Sequence, residues 1–139
     1  MKVLLVLAII LTISFIFLFM TQNQKTKVCF DDYCFDAETA TAIPDQIRGL
    51  SGRKSLEENQ GMLFVYKNPK EISIWMKGMK FPLDIIWLGA DKKVVYIERE
   101  AKPCDNNCQS IKIHAQYVLE VNTGSANSLA VGDQAKFEL

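Results

Sequence analysis

The sequence lacks an excess of charge of either sign. Its 139 residues contain 16 Lys and Arg against 16 Asp and Glu. A nucleic-acid groove requires a basic patch or a clearly basic domain, so no nucleic-acid partner is expected. Hydrophobic residues make up 49% of the chain, which excludes a disordered acidic tail. The length fits one ordinary domain.

Recognisable catalytic motifs are also missing. There is no GxGxxG sequence and no P-loop, so the glycines are assigned to turns rather than to phosphate binding. The single histidine, His114, alternates with Ile111 and Ile113, and no Ser or Asp stands at a spacing that marks a catalytic triad. We therefore predict that His114 is an exposed loop residue, and no catalytic residue is assigned.

One long hydrophobic run is present, at the N-terminus. Only three of residues 1–20 are not apolar. As a helix, residues 3–20 would measure about 27 Å, just short of the hydrocarbon core of a bilayer. We predict an uncleaved signal anchor over residues 1–20 and a polar linker over residues 21–27. A cleaved signal peptide is the alternative, although the residues after the run offer no small-residue cleavage pattern. A cytosolic protein with a buried first helix is a third interpretation.

The four cysteines all follow this run, as two close pairs, Cys29 with Cys34 and Cys104 with Cys108. Close pairs in an even number are typical of disulfides formed outside the cytoplasm. Because the charges that flank the hydrophobic run are balanced, the cysteines decide the orientation. The domain is predicted to lie outside the cytoplasm, with membrane contact through residues 3–20. Reduced cysteines and a zinc site with the histidine are the alternatives, but neither spacing is the usual C-x2-C, so no metal ligand is assigned.

The spacing of the first cysteine pair fits a tight hairpin. Residues 28–35 are typical of two short strands around an Asp-Asp turn. Phe30 would then face Tyr33, and Cys29 and Cys34 would form the next pair, where Cα atoms lie about 4.5 Å apart. That distance is within disulfide range. The second cysteine pair closes a still smaller loop.

Short apolar segments with frequent turn signals predict a mainly β (α+β) fold. Further strands are predicted over residues 62–66, 72–77, 83–88, 93–98, 117–121 and 135–137, with short helices around residues 43–50 and over residues 123–130. Asn68 and Pro69 are expected to end one strand. In the next, Ile72, Ile74 and Met76 should share one face. We expect a small antiparallel barrel or sandwich with one or two short helices, preceded by an N-terminal transmembrane helix.

Short motifs stand in a characteristic order along the predicted domain. They are Arg48-Gly49-Leu50 with Arg53, Gly61-Met62-Leu63-Phe64, Trp75-Met76-Lys77, Pro82-Leu83-Asp84-Ile85-Ile86, Lys102-Pro103-Cys104, and Val118-Leu119-Glu120 with Gly124. As a set, over residues 28–139, they resemble the DUF192 family of small bacterial and archaeal proteins, which are often secreted or membrane-tethered. The resemblance implies a mostly β barrel with short helices and no established reaction. The chain has Gly78 and Met79 where the family usually has Asn-Thr, and Ser51 where the family often has Met.

A candidate binding site lies around one tight connection. Trp75, Lys77 and Asp84 would bring an aromatic plane, a cation and a carboxylate together, which could hold a polar, ring-bearing ligand. A core position for Trp75 is the alternative, because large aromatic side chains are more often buried.

Two acidic residues, Asp84 and Glu120, interrupt otherwise apolar strands. Each must face solvent or be paired if it is buried. The expected cationic partners are Arg48, Arg53 and Lys77. Structural ion pairing and ligand contact both remain open for these residues, so Arg48, Arg53 and Glu120 join the candidate ligand-binding set.

These features together predict a membrane-anchored, non-catalytic domain outside the cytoplasm that binds a small molecule, a glycan or an envelope protein. No cofactor is expected. An envelope hydrolase or transferase that uses Asp84 or Glu120 is one alternative, and a structural accessory subunit of a membrane complex is another. Secretion after signal cleavage is the alternative location.

Overall fold

Over the residues that the structure describes, the protein is mainly β, with one short helix. The structure, a computed structural model, describes Thr12 and residues 24–31 and 33–139. Its elements, in chain order, are β1 (Lys25–Phe30), β2 (Tyr33–Ala40), α1 (Ile43–Arg48), β3 (Gln60–Ile74), β4 (Leu83–Leu88), β5 (Val94–Ala101), β6 (Ile111–Asn122) and β7 (Ala135–Lys136). The predicted signal anchor, apart from Thr12, lies outside the described residues. β1 begins within the predicted linker, so the last linker residues belong to the sheet.

All seven strands form one sheet in the order β5-β4-β6-β3-β2-β1-β7. The prediction of an antiparallel sheet is wrong, and the sheet is mixed. β2 and β3 pair in parallel, from Asp36 opposite Gln60 to Ala40 opposite Phe64. A parallel pair needs a crossover connection, and α1 with the loop that follows it provides one. Thus α1 is fixed beside the end of the β2–β3 pair.

The sheet curls into a half-barrel. Its two edges approach each other, because Lys93 forms an isolated bridge with Gln134, just before β7. Three backbone hydrogen bonds of 2.8 to 2.9 Å join residues 92–94 to residues 132–135 there. Curling protects the edge strands, whose unpaired backbone groups would otherwise be open to association.

Two apolar layers cover the two faces of the sheet. The first contains Leu63, Ile86 and Leu119. The second contains Met62, Ile85 and Val118, which are the sequence neighbours of the first three. Successive residues of a strand point to opposite faces, so β3, β4 and β6 are apolar on both sides, as predicted for the continuous apolar runs.

The structure corrects the predicted end of a strand at Asn68 and Pro69. β3 continues to Ile74, with a shift of its register against β6 between Val65 and Lys70. A bulge at this point accommodates the proline, which cannot donate a ladder hydrogen bond. Beyond the bulge, the predicted alternation is confirmed, because Ile72, Ile74 and Met76 are buried.

Of the two predicted helices, the first forms and the second does not. α1 covers Ile43–Arg48, with Pro44 in its first turn. Residues 123–128 are instead a series of turns. Gly124 has φ of +84°, outside helical space, and the backbone N–H of Ala126 donates to the Asp84 carboxylate. The composition there resembles a short helix, but a partner distant in sequence determines the backbone.

Both predicted disulfides are present. The Cα atoms are 4.0 Å apart for Cys29–Cys34 and 5.7 Å apart for Cys104–Cys108. The predicted hairpin register is confirmed, with Cys29 opposite Cys34 and Phe30 opposite Tyr33. Within the described ranges, no helix has the length and hydropathy needed to cross a membrane.

Candidate functional site

A groove of about 750 Å³ opens on one side of the half-barrel, and its lining is mostly apolar. One wall is α1 and the turn after it, through Leu50 and Ser51. The end of β3 and the segment that follows it, through Met79, also line the groove. Phe64 and Glu120, which belong to neighbouring strands of the sheet, line it from below. Pockets of this size accept small organic molecules.

The α1 wall presents apolar side chains to solvent. Ile43 and Ile47 are each 71% exposed, and they stand four residues apart, on one face of the helix. The amide Nε2 of Gln46 donates to the carbonyl oxygens of Val65 (2.9 Å) and Ala40 (3.2 Å), which holds the helix against the sheet. The exposed isoleucines are thus fixed at the rim of the groove.

Trp75, just after the end of β3, lines the groove and is not a core residue. Its side chain is 57% exposed, and Ser73 and Lys77 on the same face of the segment are also exposed. The alternation of the strand explains this, because the intervening Ile74 and Met76 occupy the second apolar layer. Trp75 is therefore a third exposed apolar side chain in the lining of the groove, together with Ile43 and Ile47.

The two departures from the DUF192 pattern meet in this groove. Gly78 has φ of +73°, and a Cβ at that position would lie 2.5 Å from the hydroxyl oxygen of Ser51. The Ser51 hydroxyl donates to the Lys77 carbonyl oxygen (3.3 Å). The small side chain at position 51 and the glycine at position 78 therefore fit each other, and both residues line the groove.

Glu120 is the buried charged group of the site. It lies on β6 between Met62 of β3 and Ile85 of β4, and only 5% of it is exposed. In the part of the chain that the structure describes, no hydrogen bond or ion pair reaches its carboxyl group. Removal from water raises the pKa of Glu120 to about 8. At neutral pH the group is therefore mainly a neutral carboxylic acid.

Close packing places Glu120 against β3. A Cβ on Gly61 would lie 2.8 Å from the Glu120 carbonyl oxygen, so only glycine allows this approach of the two strands. Tyr66 also lines the groove, and it interacts electrostatically with the same carboxyl group. Burial, and then the charge of Glu120, raises the pKa of Tyr66. The ammonium group of Lys70 lies 4.4 Å from the centre of the Tyr66 ring.

Asp84 lies on the opposite face of the sheet from Glu120, and it does not line the groove. It is 1% exposed and accepts hydrogen bonds from the backbone N–H groups of Glu100 (2.9 Å) and Ala126 (3.0 Å). The hydroxyl of Thr123 is 3.4 Å from the same carboxylate. Asp84 thus joins β5 and the turns after β6, and the structure does not bring it beside Trp75 and Lys77.

The two arginines of the predicted set have partners other than Asp84 and Glu120. Arg53 forms a two-pronged ion pair with Glu38, at 2.7 and 2.8 Å, and does not line the groove. Arg48 pairs with Asp45 within α1, at 2.6 Å, and does line it. The groove therefore unites four of the six predicted residues: Arg48, Trp75, Lys77 and Glu120.

Among the residues that the structure describes, no three His, Cys, Asp or Glu side chains lie close enough to hold a metal ion. His114 is exposed, as predicted, but it lies in β6 opposite Glu71 rather than in a loop. Ile111 and Ile113, which precede it in β6, pack against the second apolar layer of the sheet.

Of the α1 residues that line the groove, the predicted set includes Arg48 but not the apolar ones. Ile43, Ile47 and Tyr66 were not in the predicted set, although the spacing of the two isoleucines is a detectable signal. An apolar pair four residues apart in a short helix normally faces the core. Here the helix packs through Gln46, so the apolar pair faces out.

Two solved structures resemble this fold. A protein of unknown function from Novosphingobium aromaticivorans DSM 12444 is 31% identical, with a TM-score of 0.69 over 83% of this chain and 84% of that chain. A protein from Sinorhizobium meliloti 1021, provisionally described as a transcription regulator, is 22% identical, with a TM-score of 0.71 over 81% of this chain and 92% of that one. At the second identity the likeness shows the fold alone. None of the curated proteins gives a significant match.

A family profile that matches the chain agrees with the resemblance that the motifs indicated. It is the profile of DUF192, described as an uncharacterised ACR, and it matches residues 26–138. The match begins at the second residue of β1 and ends after β7, so it covers all of the sheet except Lys25. The chain belongs to the DUF192 family.

Proposed function

We propose that this DUF192 domain is a non-catalytic binding module, and that its groove holds a small molecule with an apolar or aromatic body. The observation that carries the proposal is the juxtaposition of Ile43, Ile47 and Trp75, all more than half exposed, around a concave site with a buried acid. Exposed apolar side chains scattered singly need no explanation, but a group of them around a cavity is typical of a binding site.

The chemistry of the lining favours a small apolar molecule over a glycan or an envelope protein. A glycan presents many hydroxyl groups, and the mostly apolar walls offer few side-chain partners for them. A stable protein interface buries about 800 Å² on each partner, so it would have to extend well beyond the groove. If the groove binds a glycan or an envelope protein, small probes should fail to bind, and the domain should capture that glycan or protein instead.

Replacing Trp75 by Ala should weaken binding of a small aromatic probe such as indole about tenfold, because one lost aromatic contact costs about 1 kcal/mol or somewhat more. Isothermal titration calorimetry of the protein with the probe measures the dissociation constant. Val131→Ala is the matched control, since Val131 is 66% exposed but does not line the groove. Equal loss in both variants, or no binding by the unmodified domain, would contradict the proposal.

An envelope hydrolase or transferase is the second candidate, because Glu120 has a pKa near neutral, as a general acid or base requires. Asp84 is a weaker candidate for the acid or base, because its carboxylate already accepts hydrogen bonds from two backbone N–H groups. Mass analysis of probes recovered after long incubation distinguishes the two functions. A binding module returns every probe unchanged, whereas consumption that Glu120→Gln abolishes would favour the enzyme.

We place the domain outside the cytoplasm, tethered by residues 3–20 or released after signal cleavage. The two disulfides support an oxidising compartment. Full-length protein should pellet with membranes, and thiol alkylation without reductant should modify none of the four cysteines. A soluble form that begins near residue 21 would indicate secretion, and modification of all four would contradict both locations. Co-purification with a membrane complex would favour an accessory subunit instead.

A further inference from the structure

Glu120 is the polar group of the groove that the fold itself does not use. Elsewhere in the described residues, buried Asp84 has three donors around its carboxylate, whereas none reaches that of Glu120. The side chain is about nineteen-twentieths buried and lines the groove. A buried carboxyl group without a partner weakens the fold, so its presence at the bottom of a concave site indicates a role in binding.

We propose that the groove takes a ligand that carries an ammonium group on an apolar or aromatic body, with the ammonium group against the carboxylate of Glu120. This inference rests on the proposed function and specifies its ligand. The body of the ligand would lie between Trp75 and the α1 isoleucines, and the N–H groups of the ammonium would donate to the two carboxylate oxygens. Aromatic rings with a carboxylate nearby are a known environment for such cations.

The relative burial of the charges around the groove favours a cation over an anion. The other charged side chains that line the groove are Arg48 and Lys77, and both are exposed. Arg48 is already paired with Asp45. An exposed ion pair is screened by water and contributes little, whereas a charge pair formed at a buried carboxylate is screened much less. The buried acid therefore outweighs the two rim cations.

Among the residues that the structure describes, no cation is paired with Glu120. On β3 it faces Met62, with Tyr66 further along the strand, and on β4 it faces Ile85. From α1 and the end of β3, the charged groups are Arg48 and Lys77 at the rim. Because the pKa of Glu120 is about 8, ligand binding at neutral pH expels one proton from the carboxylic acid to solvent as the ammonium group arrives. Affinity for the ammonium ligand should then rise with pH towards about 8.

Three probes of similar shape test the charge preference: 2-phenylethylamine, 2-phenylethanol and 3-phenylpropanoate. We expect the amine to bind the full chain about tenfold more tightly than the alcohol at pH 8.5, a preference that is lost in Glu120→Gln. The alcohol should bind this variant and the unmodified protein equally, which also shows that the groove is intact. Lys77→Met is the second variant, and it should tighten amine binding slightly, because it removes a cation that repels the ammonium group from the groove lining.

The outcomes separate this inference from the proposed function. Binding of the alcohol or the carboxylate as tight as that of the amine, or an amine preference that survives Glu120→Gln, overturns the ammonium ligand and leaves a binding groove. Carboxylate binding that Lys77→Met abolishes would identify an anionic ligand instead. Absence of binding by all three probes overturns both proposals.

Discussion

Replacing Asp84 by Ala should lower the free energy of unfolding by about 3 to 5 kcal/mol, a large fraction of the stability of a small domain. The carboxylate accepts from the buried N–H of Ala126 and from the N–H of Glu100. Without it, these donors lose a charged acceptor, and each buried donor left unsatisfied costs about 1 to 3 kcal/mol. The turns after β6 would also lose the contact that determines their backbone.

Urea denaturation of the described domain measures this effect. Asp84→Asn keeps the shape and one acceptor oxygen, but its NH2 group would meet a backbone donor, so it should also be destabilising, by less than the alanine variant. Asp105→Ala is the control, because Asp105 is exposed in the second disulfide loop. A loss below about 1 kcal/mol for Asp84→Ala would contradict a structural role and reopen the ligand-binding interpretation.

Asp84 and Glu120 show why a sequence defines a fold class more readily than a site. Both are acids within apolar strands, and their local patterns are alike. Their difference comes from pairing: Asp84 lies opposite Val121, whereas Glu120 lies opposite Ile85, so the two carboxyl groups point to opposite faces. That register joins segments more than thirty residues apart, and no local spacing reveals it.

Features that depend on neighbouring residues were predictable. The Cys29–Cys34 pairing follows from a two-residue turn, and the exposure of Trp75 follows from strict alternation with Ile74 and Met76. The general preference of tryptophan for the interior favoured the opposite prediction for Trp75. Local periodicity proved the better guide here, because the strand is covered on one face only at this point.

Features that depend on crossover connections were not predictable. The parallel pairing of β2 with β3 requires α1 to pass beside the sheet, and this passage creates one wall of the groove. Arg53 has its place for the same reason, since its ion pair with Glu38 ties the crossover loop to β2. From the sequence, both structural ion pairing and ligand contact were open for Arg53, with Asp84 or Glu120 as the expected partner, but the partner is Glu38.

Glu120→Gln should remove a pH dependence of stability that the unmodified domain has between pH 4.5 and about 8. In the folded state burial raises the pKa of Glu120 to about 8, whereas in the unfolded chain the group titrates near 4.5. Between these values the folded state holds a proton that the unfolded state releases, so the contribution of Glu120 to stability is greatest below pH 4.5 and falls as the pH rises. The expected fall, relative to the glutamine variant, is about 1 kcal/mol per pH unit, and it levels off above about 8.

Urea denaturation of both proteins at several pH values gives the difference in stability, in which titrations that the two proteins share cancel. Glu58→Gln is the control, and its difference from the unmodified protein should stay flat, because Glu58 is exposed. Parallel curves for Glu120→Gln and the unmodified domain would mean that Glu120 is ionised when folded, and therefore that water or an unrecognised partner already reaches it. A stability difference that changes with pH would instead mean that Glu120 is protonated and unpaired in the folded state. An incoming cation can then pair with its carboxylate, because no group of the fold does so. Added 2-phenylethylamine should therefore stabilise the unmodified domain most at pH 8 and above, where the unpaired carboxylate costs the fold most.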